Sequence, residues 1–141
     1  KAAIVTIVDR KSKFSLFKIV DSKQAEPVKN ALINLMHPIR NYIHTVTSDN
    51  GKEFSFHKEV SDALDCGFYF CHPYRSCERG LNENTNGLLR QYFPKGTDFT
   101  EITNNQIVAA QERLNHRPRK SLGYKTPFEV FFGTIAKEIA L

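Results

Sequence analysis

Between Ala3 and Cys71 the sequence alternates short β-branched or aromatic runs with stretches whose apolar residues recur at helical spacing. That alternation confines the chain to an α/β architecture. Ala3 to Val8, with IVTIV at its heart, reads as a strand, and Asp9-Arg10-Lys11-Ser12-Lys13 as a polar turn. Phe14 to Val20 returns as the second arm of an antiparallel hairpin. Val28, Leu32, Leu35 and Met36 then fall near i, i+4, i+7 and i+8, the core-facing stripe of a helix. That helix begins between Ser22, a cap, and Pro27, which fits best within a first turn; Pro38 ends it. A β-branched run from His44 to Asp49 stops at the turn dipeptide Asn50-Gly51. A short helix over Lys52 to Leu64, with Phe56, Val60, Ala63 and Leu64 inward, leads to an aromatic strand from Gly67 to Cys71.

After His72-Pro73 a polar loop runs from Tyr74 to Gly80, and a helix from Leu81 to Tyr92 is closed by Pro94-Lys95-Gly96. A further helix spans Asn104 to Asn115, with Ile107, Ala110, Gln111 and Leu114 on one side. Thr126-Pro127 opens a short amphipathic helix that ends near Phe132. The order is hairpin, helix, strand, helix, strand, helices: an α/β fold with a mixed β-sheet flanked by helices. No repeat, low-complexity stretch or linker divides it, so one domain over residues 1–141 is expected. With 40% hydrophobic residues, eleven of them Phe, the chain has the material for a core. No apolar run reaches the roughly 18–20 residues needed to cross a bilayer, and no leader-like segment opens the sequence. Lys1 stands abruptly at what reads as a strand, so the natural N-terminus is expected to lie upstream.

Cys66, Cys71 and Cys77 form no CxxC pair and are odd in number, which favours free, partly buried thiols in a reducing cytoplasm. A zinc site at Cys71, His72 and Cys77 lacks a fourth ligand at a usual spacing. The net charge of +5 is mild, but its distribution is uneven. Arg113, Arg117, Arg119, Lys120 and Lys125 form a stripe without an acid, suited to a phosphate backbone or equally to a solvated face.

Asp49 is expected at the carboxyl end of a strand, where ligands gather in open α/β sheets. A rigidly held carboxylate there suits Mg²⁺, which takes hard oxygen ligands; taken alone, Asp49-Asn50-Gly51 is equally a plain turn. Thirty-three residues separate Asp49 from Glu83, enough for a helix, a strand and a loop that return the chain to the same sheet edge. Carboxylates from separate elements are what a two-metal phosphoryl-transfer site requires, with ions about 4 Å apart. Glu78 competes with Glu83 but falls in the loop. His72 and His116 read as structural.

Three segments carry a resemblance. SDNGKEF at Ser48–Phe54, HPYRSCERGLNENTNGLLRQYFPKGTDF at His72–Phe99 and LNHRPRKSLGYKTPFEVF at Leu114–Phe131 closely resemble bacterial insertion-sequence transposases of the IS-thirty type. They are similar, more distantly, to retroviral integrases. The resemblance implies an RNase H-like fold with its first strand truncated. It implies metal-dependent hydrolysis at transposon ends, then attack of the freed 3′-hydroxyl on target DNA, with no covalent enzyme intermediate. Asp49 matches the second catalytic aspartate of the family and Glu83 its catalytic glutamate, both as metal ligands for two Mg²⁺ or Mn²⁺ ions. Asn86 and Arg90 match positions facing DNA, and Arg117, Arg119, Lys120 and Lys125 gain weight as backbone contacts. Tyr74, Arg75, Ser76 and Gly80 match the flexible active-site loop, with Gly80 a hinge. The family's first aspartate precedes the hairpin and has no counterpart here; Asp9 reads as a turn residue, so the chain alone should catalyse poorly. The implied partners are transposon-end and target DNA and at least a second copy of the protein, in the bacterial cytoplasm at the nucleoid. A non-catalytic nucleic-acid-binding module and an RNase H-like nuclease are the alternatives.

Overall fold

Nine elements of regular structure follow the expected order in the computed structural model, which describes residues 2–49, 51–71 and 79–139, with side chains for 2–49, 51–71 and 84–133. Strands β1 (Ala3–Val8) and β2 (Ser15–Val20) form one two-stranded sheet. Their short connection permits only antiparallel pairing. The turn is closed by the Asp9 N–H donating to the Phe14 carbonyl at 2.8 Å. Lys13, in the left-handed region at φ 66°, lets the chain reverse.

Helix α1 (Ala25–Met36) buries Val28, Ala31, Leu32 and Met36. Ala31 thus takes the place expected for Leu35, which is half-buried. Its N-terminal Gln24 makes no side-chain cap; the Ser22 hydroxyl instead accepts from the Gln24 N–H, and Pro27 sits in the first turn. Beyond Met36 the chain continues as a 3₁₀ turn over His37–Tyr42, kinked at Ile39.

Strand β3 (Thr45–Ser48) pairs in parallel with β4 (Gly67–Phe70), in a register that sets Ser48 opposite Phe70. The expected helix between them is in two pieces, a 3₁₀ turn Lys52–Phe54 and α2 (His57–Leu64). Val60 and Leu64 are buried as expected, but Ala63 is exposed and Phe56 half-buried. The break at Phe56 rotates the helix, so the stripe starts one turn later than a continuous helix would place it. Helix α2 stops at Asp65, which takes the left-handed conformation (φ 51°) common at helix ends.

Helix α3 (Arg79–Leu89) starts two residues before, and ends three before, the expected bounds. Helix α4 (Asn104–Asn115) has the expected bounds and opens on a capping box. The Thr103 hydroxyl accepts from the Gln106 N–H, and the Gln106 side chain accepts from the Thr103 N–H. Helix α5 (Pro127–Ile139) is longer than foreseen.

These elements gather into two compact units. The first comprises 1–5, 18–79 and 98–101; Ala3, Val20 and Ala31, with Val5 against them, form one cluster of its core. The second comprises 6–17, 80–97 and 102–141. There Phe14 stacks on Phe131 at 4.5 Å and meets Phe132 edge-on, while Leu89, Phe93, Ile107, Ala110 and Leu114 are buried. Each such large side chain contributes about 1.5–3 kcal/mol on burial. Among the described residues the strands make two two-stranded sheets, where the sequence led us to expect one mixed sheet. Strand propensity marks which segments extend, whereas the hydrogen-bond partner of each edge depends on the whole chain.

Candidate active site and nucleic-acid interface

Asp49 follows directly on β3, at the carboxyl end of a parallel strand pair. The strand end is pinned from both sides. The Cys71 N–H donates to the Ser48 carbonyl at 2.9 Å, and the Asp49 carbonyl accepts from the Gly51 N–H and the Ser48 hydroxyl, each at 3.0 Å. The Asp49 side chain is exposed, and its carboxylate takes no hydrogen bond among the described residues. Just beyond the turn, the Glu53 carboxylate folds back into the space a Cβ on Gly51 would fill. Its nearness to the Asp49 turn was not foreseen, because a side chain folding back on a 3₁₀ turn leaves no periodic signal.

Glu83 lies one turn into α3, and its side chain is outside the described residues. Asp49 belongs to the first unit and Glu83 to the second. Among the described residues no three His, Cys, Asp or Glu side chains cluster as a metal site. Asp9 is occupied elsewhere: one carboxylate oxygen accepts both the Ser12 N–H (2.9 Å) and the Ser12 hydroxyl (2.6 Å), which makes it the turn residue the sequence implied. Tyr74, Arg75, Ser76, His72 and Glu78 lie outside the described residues, and Gly80 is the second residue of α3 rather than part of a loop.

The second unit holds all six residues expected at DNA. Asn86 and Arg90 are exposed one helical turn apart, and the Arg90 N–H donates to the Asn86 carbonyl at 3.0 Å, carrying the helix past Leu89. The Arg117 guanidinium donates to Gln91 Oε1 (3.2 Å) and to the Tyr92 hydroxyl (3.0 Å), which ties the basic segment to the end of α3. Arg119 donates to the Leu114 carbonyl at 2.8 Å, while its buried Nε has no partner among the described residues. Burial, and then the neighbouring Arg117 charge, lower its pKa, yet a guanidinium starts so high that it stays charged. An antiparallel bridge between Arg119 and Lys125 closes a tight loop, with Gly123 and Tyr124 at positive φ, and leaves Lys120 and Lys125 exposed.

Two residues of α4 with structural work escaped the sequence reading. Asn115, 1% exposed, accepts from the Ser15 N–H (2.9 Å) and donates to the Ser15 carbonyl (2.8 Å), and Gln111 accepts from the Phe17 N–H (2.9 Å). One helix face thus hydrogen-bonds alternate residues of β2 as a neighbouring strand would. The available signal was the i, i+4 spacing of two amides on an apolar face. His116 ends α4, its Nδ1 at 2.9 Å from the Glu112 carbonyl and its ring stacked on Phe128 at 4.8 Å. That is the structural role expected of it. Cys71 is disulfide-bonded, which corrects the expectation of free thiols throughout. An odd count argues against a framework of bridges but not against one bridge, and among the described residues Cys66 is a free thiol.

The fold is that of an integrase catalytic core, RNase H-like. The chain superposes on the catalytic core domain of BIV integrase with a TM-score of 0.73 at 20% identity, covering 99% of this chain and 91% of that one. In sequence the chain is a homologue of insertion-sequence transposases. It is 52% identical over 131 residues to the transposase of element IS4351 of Bacteroides fragilis, and 38% identical over 128 residues to the IS30A transposase of Escherichia coli. These matches take in 93% and 90% of this chain, but it spans only 40% and 33% of the length of those relatives. No protein-family model matches it.

Proposed function

We propose that this chain is the catalytic core of a DNA transposase, acting in metal-dependent phosphodiester hydrolysis and 3′-hydroxyl strand transfer at transposon ends. The observation that carries the reading is the pair of hydrogen bonds from Arg117 to Gln91 and Tyr92. They join the basic segment to the turn that bears Arg90, directly after the helix that bears Glu83 and Asn86, so one unit combines the proposed metal-binding acid with a basic face suited to phosphate.

Asp49 and Glu83 are the residues that would hold Mg²⁺ or Mn²⁺. The exposed, uncommitted carboxylate of Asp49 on a pinned strand end fits a hard divalent cation. Two such ions, when bound, would activate the attacking oxygen and stabilise the leaving one. The protein's own part is positional. Arg90, Lys120 and Lys125 neutralise phosphates, Asn86 hydrogen-bonds the backbone beside them, and Arg117 and Arg119 hold the loop that presents the lysines. Tyr74, Arg75 and Ser76 would belong to the segment beside the scissile phosphate. DNA ends and target are the proposed partners, with a second copy of the protein because two ends must be cut together, in the bacterial cytoplasm at the nucleoid.

The test is cleavage of labelled end-sequence DNA by the full-length gene product in Mg²⁺ or Mn²⁺. Asp49→Asn and Glu83→Gln should each abolish it; activity surviving either change would sink the site assignment. Faster cleavage of an RNA–DNA hybrid than of DNA would favour a nuclease, and DNA binding without cleavage a non-catalytic module.

A further inference from the structure

Among the described residues three other than glycine stand at positive φ: Lys13, Asp65 and Tyr124. Lys13 reverses a hairpin and Asp65 ends a helix, so in both the left-handed conformation serves the chain path. Tyr124 differs. It stands at φ 67°, where a bulky side chain is strained and glycine is not. It is also 69% exposed, the highest value for a large hydrophobic among the described residues. The loop around it is closed by backbone groups alone. The Arg119 carbonyl accepts from the Tyr124 N–H at 2.8 Å and from the Leu122 N–H at 3.0 Å, and the Arg119 N–H donates to the Lys125 carbonyl at 3.0 Å. Glycine at position 124 would form the same bonds without the strain. A strained backbone that carries an exposed ring, in a loop whose closure does not use that ring, marks a side chain kept for what it meets outside the chain.

The charge around the ring says what that is. Lys120 and Lys125 are exposed on the same loop, and no acid occurs from Arg113 to Lys125. Glu129, the next acid along the chain, is committed to the start of α5, where it accepts from the Thr126 N–H at 3.3 Å. The cations suit phosphates, whereas a neutral aromatic ring suits the face of a nucleobase. Inside a duplex both faces of a base are covered by its neighbours, so the ring can reach only a base that has left the stack. We propose that Tyr124 is a stacking platform for an unpaired nucleobase, with Lys120 and Lys125 on the phosphates beside it. This rests on the transposase reading above, in which strand cleavage leaves DNA ends whose bases can unpair. It adds a selectivity that a basic face lacks, for single-stranded over paired DNA.

The experiment measures binding of the protein to a labelled blunt duplex and to the same duplex with a short single-stranded overhang, each at several salt concentrations. The wild type should bind the overhang about tenfold more tightly, the order expected of one stacked base. Tyr124→Gly should erase that preference and leave blunt-duplex affinity unchanged. The salt slope should also stay as it is, because the ring carries no charge and releases no counterion. Tyr124→Phe, which keeps the ring, should keep the preference. The Tm of Tyr124→Gly should not fall, since glycine relieves the left-handed strain. A wild type without the preference, a preference that survives Tyr124→Gly or is lost in Tyr124→Phe, a changed salt slope, or a lowered Tm would each overturn the inference and leave the transposase reading intact. A wild type that binds neither probe would overturn the reading on which it rests.

Discussion

Asn115 shows how much one side chain carries. Its amide meets both backbone polar groups of Ser15 where the two residues are buried from solvent, so a residue without hydrogen-bonding atoms would strand a donor and an acceptor together. Each stranded group costs about 1–3 kcal/mol, and Asn115→Leu should lower unfolding free energy by roughly 2–4 kcal/mol in urea denaturation. A loss no larger than that of an exposed substitution would refute the strand-mimic role. Cys66 offers a test by pH. Burial first, and Asp65 second, raise its thiol pKa, so the folded state disfavours the thiolate. The associated stability is fully present below the thiol's ordinary pKa near 9.0 and is lost as pH rises through the higher folded value. Asp65→Asn should move Cys66 alkylation to lower pH. It should also stabilise α2 by about 0.3–1 kcal/mol at low ionic strength, because an acid at a helix C-terminus opposes the dipole. An unchanged alkylation profile would exclude the carboxylate as a cause.

At the scale of elements, capping separates the helices. Helix α4 was legible from its apolar stripe; the reciprocal box of Thr103 and Gln106 fixes its start in the fold, and Thr103→Ala should cost about 1 kcal/mol, read by the shift in denaturation midpoint. Helix α1 has no side-chain cap, and there the sequence bracketed the start without locating it. The broken helix before α2 was illegible for a related reason. Apolar spacing cannot distinguish a continuous helix from a 3₁₀ turn followed by a helix when both keep Val60 and Leu64 inward. The strands were legible as segments, since β-branched and aromatic runs extend whatever they pair with.

For the whole molecule the decisive property is where the charge stands. Lys120 and Lys125 are exposed on a loop closed between Arg119 and Lys125; their backbones help close it, but their side chains carry no hydrogen bond among the described residues. Replacing both with alanine should leave stability within about 0.5 kcal/mol. The same change should reduce the salt slope of DNA binding by about two units, measured by titration at several salt concentrations. An unaltered slope would remove the loop from the DNA face. Arg117→Ala should act differently. It loses the ties to Gln91 and Tyr92, so it should lower thermal stability as well as affinity.

The sequence by itself determined the α/β order of the elements, the position of Asp49 at a strand end, the helix bearing Glu83 and the basic segment beyond Leu114. Each is written in short-range pattern: period, turn dipeptides, and motifs that keep their spacing. Only the tertiary structure decided that Asn115 and Gln111 stand in for a strand, and that Arg117 reaches the turn after α3. Those pairings join residues that only folding brings together, up to a hundred positions apart for Ser15 and Asn115, and a local pattern holds no trace of the partner. The same holds for Asp49: the sequence placed the carboxylate at the strand's end, and the fold left it exposed, with no hydrogen bond among the described residues.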